Sequence, residues 1–137
     1  MAVIGNLIWF FLLGGFFLGA GWLVAGVLLC LTVVGIPFGQ ACFRISSFAF
    51  FPFGKELVDA RSVGEGRIAG TSIANLLWFL LAGVWLALGH LAASLACLAS
   101  CLLVVPIFLG APAWAVAHFN LAKVSLAPLG MRIVPKR

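Results

Sequence analysis

The sequence predicts an all-α membrane protein made of two tandem, parallel repeats. Each repeat reads as a transmembrane helical hairpin followed by a cytoplasmic interfacial amphipathic helix. Three observations carry this. Residues 1–43 and residues 68–122 contain no Asp, Glu, Lys or Arg. Only 8% of the 137 residues are charged and the mean hydropathy is +1.28, where a soluble chain carries about a quarter charged residues. Finally, Asn6-Leu-Ile-Trp-Phe-Phe-Leu-Leu-Gly14 returns as Asn75-Leu-Leu-Trp-Phe-Leu-Leu-Ala-Gly83. Uncharged runs of this length cannot face water and read as membrane-embedded helix.

The repetition extends beyond the opening segment. Phe43, followed nine residues on by Pro52-Phe-Gly54, returns as Phe119 followed by Pro128-Leu-Gly130. The exit Gly54-Lys-Glu-Leu-Val58 corresponds to Gly130-Met-Arg-Ile-Val134. The offset is 69 residues at the start and 76 at the end, so copy two holds seven additional residues between Gly83 and Phe119. The chain therefore divides into repeat one (2–58), a cytoplasmic linker (59–70) and repeat two (71–134), a single membrane domain.

Each repeat opens with a long apolar stretch, residues 2–37 and 73–112. A single helix of about 36 residues would be ~54 Å long, well beyond a hydrocarbon core of ~30 Å. A turn is expected at the glycines: Gly14-Gly15 and Gly19-Ala-Gly21 in copy one, Gly83 to Gly89-His90 in copy two. After Gly35-Ile-Pro37-Phe-Gly39, the residues Gln40, Arg44 and Ser47 fall on one helical face, with Phe38, Phe43, Ile45, Phe48, Phe50 and Phe51 over much of the rest. That pattern suits a helix lying in the interface with Arg44 among the headgroups. Its counterpart has Asn120 and Lys123 near one face, with His118 and Ser125 on the other.

The charges settle the expected orientation. The six between Lys55 and Arg67 cancel, so the net +5 comes from Arg44, Lys123, Arg132, Lys136 and Arg137. Basic residues flanking apolar segments mark the cytoplasmic side. Four crossings keep every charged segment and both termini there; an odd number per repeat would not. The pI of about 9.6 thus reflects topology and not a nucleic-acid partner. The opening residues lack a basic n-region and a cleavage site, so the first apolar segment is expected to stay in the mature protein.

Candidate functional residues are few. Asn6 and Asn75 put an amide in the first turns of an apolar helix, where it needs a partner; they would line a pore mouth or bind structurally. His90, beside the expected outer turn and aligned with Trp22, is a further polar-contact candidate, and His118 is expected near the cytoplasmic interface. Arg44 and Lys123 are candidate cytoplasmic electrostatic residues. Trp9, Trp22, Trp78, Trp85 and Trp114 fit interfacial anchors. Cys30, Cys42, Cys97 and Cys101 lie in apolar surroundings without metal or redox spacing, so no metal or cofactor is expected. All three acids lie between Glu56 and Glu65, leaving the apolar stretches without a carboxylate for cation-coupled transport. No nucleophile–base set or paired carboxylates occur, and an enzyme is not expected.

The N-x-x-W-F opening of each repeat, the Gly-Ile-Pro-Phe-Gly turn at residues 35–39 and the P-x-G exits together resemble the YccF family of small bacterial inner-membrane proteins. The resemblance covers essentially the whole chain. Copy two departs from it at Val105-Pro106-Ile-Phe and Gly110-Ala-Pro112, and in having Asn120 where copy one has Arg44. It implies a bacterial inner-membrane location and supplies no activity. Two function classes stay open. One is a homo-oligomeric ion channel, with Asn6 or Asn75 at its mouth and basic rings of Arg44 and Lys123. The other is a non-transporting structural or accessory protein engaging anionic headgroups or a partner through its cytoplasmic helices.

Overall fold

The computed structural model describes residues 2–66, 69–103 and 110–136. Arg67, Arg137 and residues 105–108, which entered the charge and motif readings, lie outside the described residues. In the first half, α1 (Ala2–Leu12) is followed by α2 (Gly15–Cys30). Between them Gly14 takes φ 82°, a left-handed conformation costing an L-residue about 1–2 kcal/mol, and the two axes meet at 75°. In the second half, α4 (Thr71–Trp78) runs through a π-helical turn at Phe79–Gly83 into α5 (Val84–Ser100). Thr71–Leu103 is thereby one 33-residue apolar helix, ~50 Å long at 1.5 Å per residue.

A single residue type accounts for the difference between the halves. Where the first half has Gly14-Gly15, the second has Gly83-Val84. Gly83 keeps a helical φ of −60°, and the irregularity is absorbed as one wide turn instead of a break.

The expected break is found at Gly14-Gly15 in the first half, while the turn expected at Gly83 to Gly89 in the second is corrected. Gly89 lies within α5, because an apolar surrounding penalises every backbone group that leaves the helix. In the first half the chain reverses later, at residues 31–35. There α3 (Ile36–Phe50) turns back along α2, and in the second half α6 (Ala111–Leu126) packs along α5. Pro37 and Pro112 sit in the first turns of these returning helices, where a missing N–H costs nothing. The Ser46 hydroxyl donates to Gly19 O at 2.8 Å, and Ser94 to Ala115 O at 2.8 Å.

The returning helices, expected as amphipathic helices in the interface, are packed against other helices of the chain. On α3, Ala41, Cys42, Ile45, Ser46, Phe48 and Ala49 are buried, and α6 buries more than half its residues. The large exposed apolar side chains sit mostly on the outer helices, as with Val3, Phe11, Phe17, Val24, Leu80 and Trp85. Small residues explain the inversion: Ala41, Ala49, Ala115, Ala117 and Ala122 let the returning backbones approach closely. The polar stripe of Arg44 and Ser47 is spent on a neighbouring cleft and not on a flat membrane surface.

That cleft exists because of an element absent from the all-α expectation. After α3 and α6 the chain forms β1 (Lys55–Asp59) and β2 (Met131–Pro135), an antiparallel ribbon centred on Leu57 opposite Ile133. Gly54 and Gly130 enter the strands at φ 87° and 86°. Ala60 N–H donates to Gly130 O at 2.8 Å and Lys136 N–H to Gly54 O at 2.9 Å, extending the ladder at both ends.

A Cβ at Gly54 would meet only Ala2 Cβ, at 3.7 Å, so Gly54→Ala isolates backbone strain. It is expected to lower stability by about 1–2 kcal/mol, read as a lower midpoint in thermal unfolding of the micelle-solubilised chain. An unchanged midpoint would show that the ribbon entrance is not strained.

Candidate functional site at the polar end

Both candidate amides turn out to be bound to backbone at the ends of the returning helices. α3 stops at Phe50, and Phe51 leaves helical geometry with φ −141°. The next helical hydrogen bond, from Phe53 N–H to Ala49 O, is thus not made. Its two halves are taken up by α1. Asn6 Oδ1 accepts from Phe53 N–H at 2.9 Å, and Trp9 Nε1 donates to Ala49 O at 2.7 Å. Asn6 Nδ2 also donates to Phe53 O at 3.0 Å.

The second half repeats each bond. Asn75 Oδ1 accepts from Leu129 N–H at 3.0 Å, Trp78 Nε1 donates to Ser125 O at 2.8 Å, and Asn75 Nδ2 donates to Leu129 O at 2.9 Å. The N-x-x-W spacing places both side chains one turn apart on one helix face, which is what bridging a four-residue gap in the facing helix requires. Gly15 leaves room for the Trp9 indole, into which a Cβ there would run, and Gly83 for the Ser125 carbonyl that receives the Trp78 bond, which a Cβ there would meet at 2.7 Å.

His90 is buried in the α5–α6 contact and not at an outer turn. Its Nδ1 lies 3.3 Å from His118 Nδ1, so one ring donates and the other accepts. Trp9 covers His118 with ring centroids 4.9 Å apart, and Trp78 stacks on Phe38 at 5.4 Å. Each anchoring indole thus also reaches into the opposite half.

Charged groups gather around the ribbon. Arg44 projects from α3 into a cleft of about 400 Å³ that also receives Lys55 of β1 and Arg132 of β2. Lys55 Nζ donates to Ser47 O at 2.7 Å and to Ser47 Oγ at 3.1 Å, and burial holds its ammonium below the ordinary lysine range. Arg132 forms a bidentate pair with Glu65, which folds over the ribbon from the connecting turn. Arg44 makes no hydrogen bond or ion pair among the described residues. At the end of β1, Asp59 accepts from Arg61 N–H at 2.9 Å and pairs with its guanidinium, which keeps the Asp59 carboxyl at about 2.

Lys123 is exposed in the last turn of α6, where its charge complements the helix C-terminus, and it lines neither this cleft nor a second one. Sequence reasoning paired Arg44 with Lys123 and missed Lys55 and Arg132. The charges of residues 55–67 cancel on paper, and neither Lys55-Glu56-Leu57-Val58 nor Met131-Arg132-Ile133-Val134 alternates polar with apolar residues, so the strands that sort these charges had no periodic signal.

A helical chain with exposed apolar outer helices and one charged end is a membrane protein by construction. The comparisons specify which kind. The YccF family, described as an inner membrane component domain, matches residues 4–55 and again residues 73–131, and the chain belongs to this family. The chain is 29% identical over 129 residues to the inner membrane protein YccF of Escherichia coli strain K12. It matches the protein of that name from Shigella flexneri equally; each match covers 90% of this chain and 82% of the relative. No solved structure matches.

Asn75→Leu and Trp78→Phe each strip a partner from backbone groups left over where α6 stops. Each is expected to destabilise the chain by about 1–3 kcal/mol, measured by unfolding in mixed micelles. Unaltered stability in both would show that these bonds are dispensable. The Asp59 carboxyl is depressed, so its contribution is complete above the unfolded value of about 3.9 and is lost only as pH falls through about 2. A carboxyl NMR titration of Asp59 with a midpoint near 4 would contradict this.

Proposed function

We propose that the chain is a duplicated inner-membrane protein of structural or accessory type, acting through its charged cytoplasmic end and not through a pore. In this reading two hairpins, α1–α2 with α3 and α4–α5 with α6, enter from the cytoplasmic side and make four crossings. Both termini stay in the cytoplasm. The matching of one family to two segments supports the duplication, as does the recurrence of three hydrogen bonds in each half at offsets of 69 and 76 residues. The positive-inside rule supports the orientation.

The observation that carries the functional choice is where polar capacity is left over. Asn6, Asn75, Ser46 and Ser94 are bound to the protein's own backbone, and His90 to His118. Arg44, Lys55 and Arg132 instead converge on an open cleft beside the ribbon. The chemistry available to an outside partner is cationic and lies at the charged end.

Purified chain in liposomes, given chloride and potassium gradients in separate runs, is expected to show no flux above empty liposomes. Selective flux would overturn the accessory reading in favour of a homo-oligomeric channel. Orientation is checked with Val63→Cys, an exposed site, in a background with the four native cysteines changed to alanine. A membrane-impermeant maleimide should label it only after the inner membrane is opened; labelling in spheroplasts would reverse the orientation.

A further inference from the structure

We infer that the cleft between α3 and the ribbon is a binding site for a phosphate-bearing anion with an apolar portion, of which an anionic phospholipid headgroup is the fitting example. The inference rests on the accessory reading above and names the ligand class of its charged end. The cleft holds three cations and one nearby carboxylate. Glu65 is committed to Arg132 and Lys55 leans on Ser47, leaving a surplus of positive charge that no described side chain neutralises. Arg44 is the free member, and its planar fork matches two phosphate oxygens at once. Lys55 keeps donor capacity beyond its contacts with Ser47, since an ammonium carries three protons.

The walls fit the other part of such a ligand. Phe43, Ile133 and Val134 line the same cleft, and Phe43 is 37% exposed on α3. A headgroup held at Arg44 would thus have its glycerol and chains against aromatic and aliphatic surface leading along a helix toward the bilayer. The volume of about 400 Å³ lies within the range of small-ligand sites.

A built-in comparison argues that the cations are not a by-product of the fold. Across the offset of 76 residues, Asn120 stands where Arg44 does and Glu56 where Arg132 does. Both line a second cleft of about 500 Å³ together with Lys55 and Lys136. The same architecture therefore exists with an arginine pair on one side and an amide and a carboxylate on the other. Only the first has a forked cation free to receive an anion.

The test uses the full chain in detergent, titrated with phosphatidylglycerol or phosphatidylcholine and read by native mass spectrometry. Phosphatidylglycerol is expected to bind at least several-fold more tightly than phosphatidylcholine. Arg44→Gln should weaken phosphatidylglycerol about tenfold, the loss of one charged hydrogen-bonding partner, with Arg44→Lys intermediate and Lys136→Gln in the second cleft within about twofold of the parent. Arg44 has no partner to lose, so the unfolding midpoint of Arg44→Gln should equal that of the parent. Inorganic phosphate distinguishes the sources. Displacement of the lipid by millimolar phosphate, dependent on Arg44, assigns the site to a soluble phosphate; no displacement assigns it to the lipid. Equal affinity for the two lipids, or full affinity in both Arg44 variants, would overturn the site while leaving the accessory reading intact. Ion flux in liposomes would do the converse.

Discussion

Everything in this small protein depends on how two helix ends, each packed against the helix that opens its own half, dispose of one broken hydrogen bond each. A helix that stops in water passes its unpaired groups to solvent; one that stops against another helix can pass them to side chains. Here the donor goes to an asparagine and the acceptor to an indole. Both come from the helix that opens the same half. This contact does more than satisfy atoms. It fixes the first helix of each half against the last turn of the returning one, and so fixes the direction in which the chain departs. Since Phe51 and Ala127 leave their helices with nearly identical backbone angles, the two exits deliver β1 and β2 in register.

The ribbon follows from that delivery. Five residues per strand would not hold together in water alone, but these strands are presented by helix ends already anchored through Asn6–Trp9 and Asn75–Trp78. The two indoles add a second constraint by reaching across the halves, Trp9 onto His118 and Trp78 onto Phe38. The halves are thus joined at the charged end by backbone pairing and in the apolar interior by aromatic packing.

Composition made the membrane character legible, and the recurring Asn6–Gly14 segment exposed the correspondence between the halves. What sequence reasoning lacked was the partner of each motif. N-x-x-W was visible as a repeated pattern, yet its meaning lies in Phe53 and Ala49, more than forty residues away. The strands were hidden for the same reason, since Lys55 pairs with Pro135 and five residues carry too little periodicity to announce themselves. Glycine was overread: Gly14 does bend the chain, while Gly83 and Gly89, equally suggestive on paper, stay helical because Val84 and the residues around Gly89 favour continuing the helix. The amphipathic stripe around Arg44 was real but was assigned to the bilayer surface, when the ribbon stands in front of it.

The two halves meet opposite demands with the same framework. The structural positions, Asn6 and Asn75 or Trp9 and Trp78, keep their residue type and their bonds, since substitution there leaves helix-end backbone without its partner. Positions facing the charged end are under no such constraint, and there the halves diverge, Arg44 against Asn120 and Arg132 against Glu56. Where two halves share one framework, whatever holds the fold is expected in both, whereas a recognition residue need be present in only one. By that criterion the asparagines and tryptophans belong to architecture, and the unmatched arginines beside the ribbon are where specificity for an outside partner would be written.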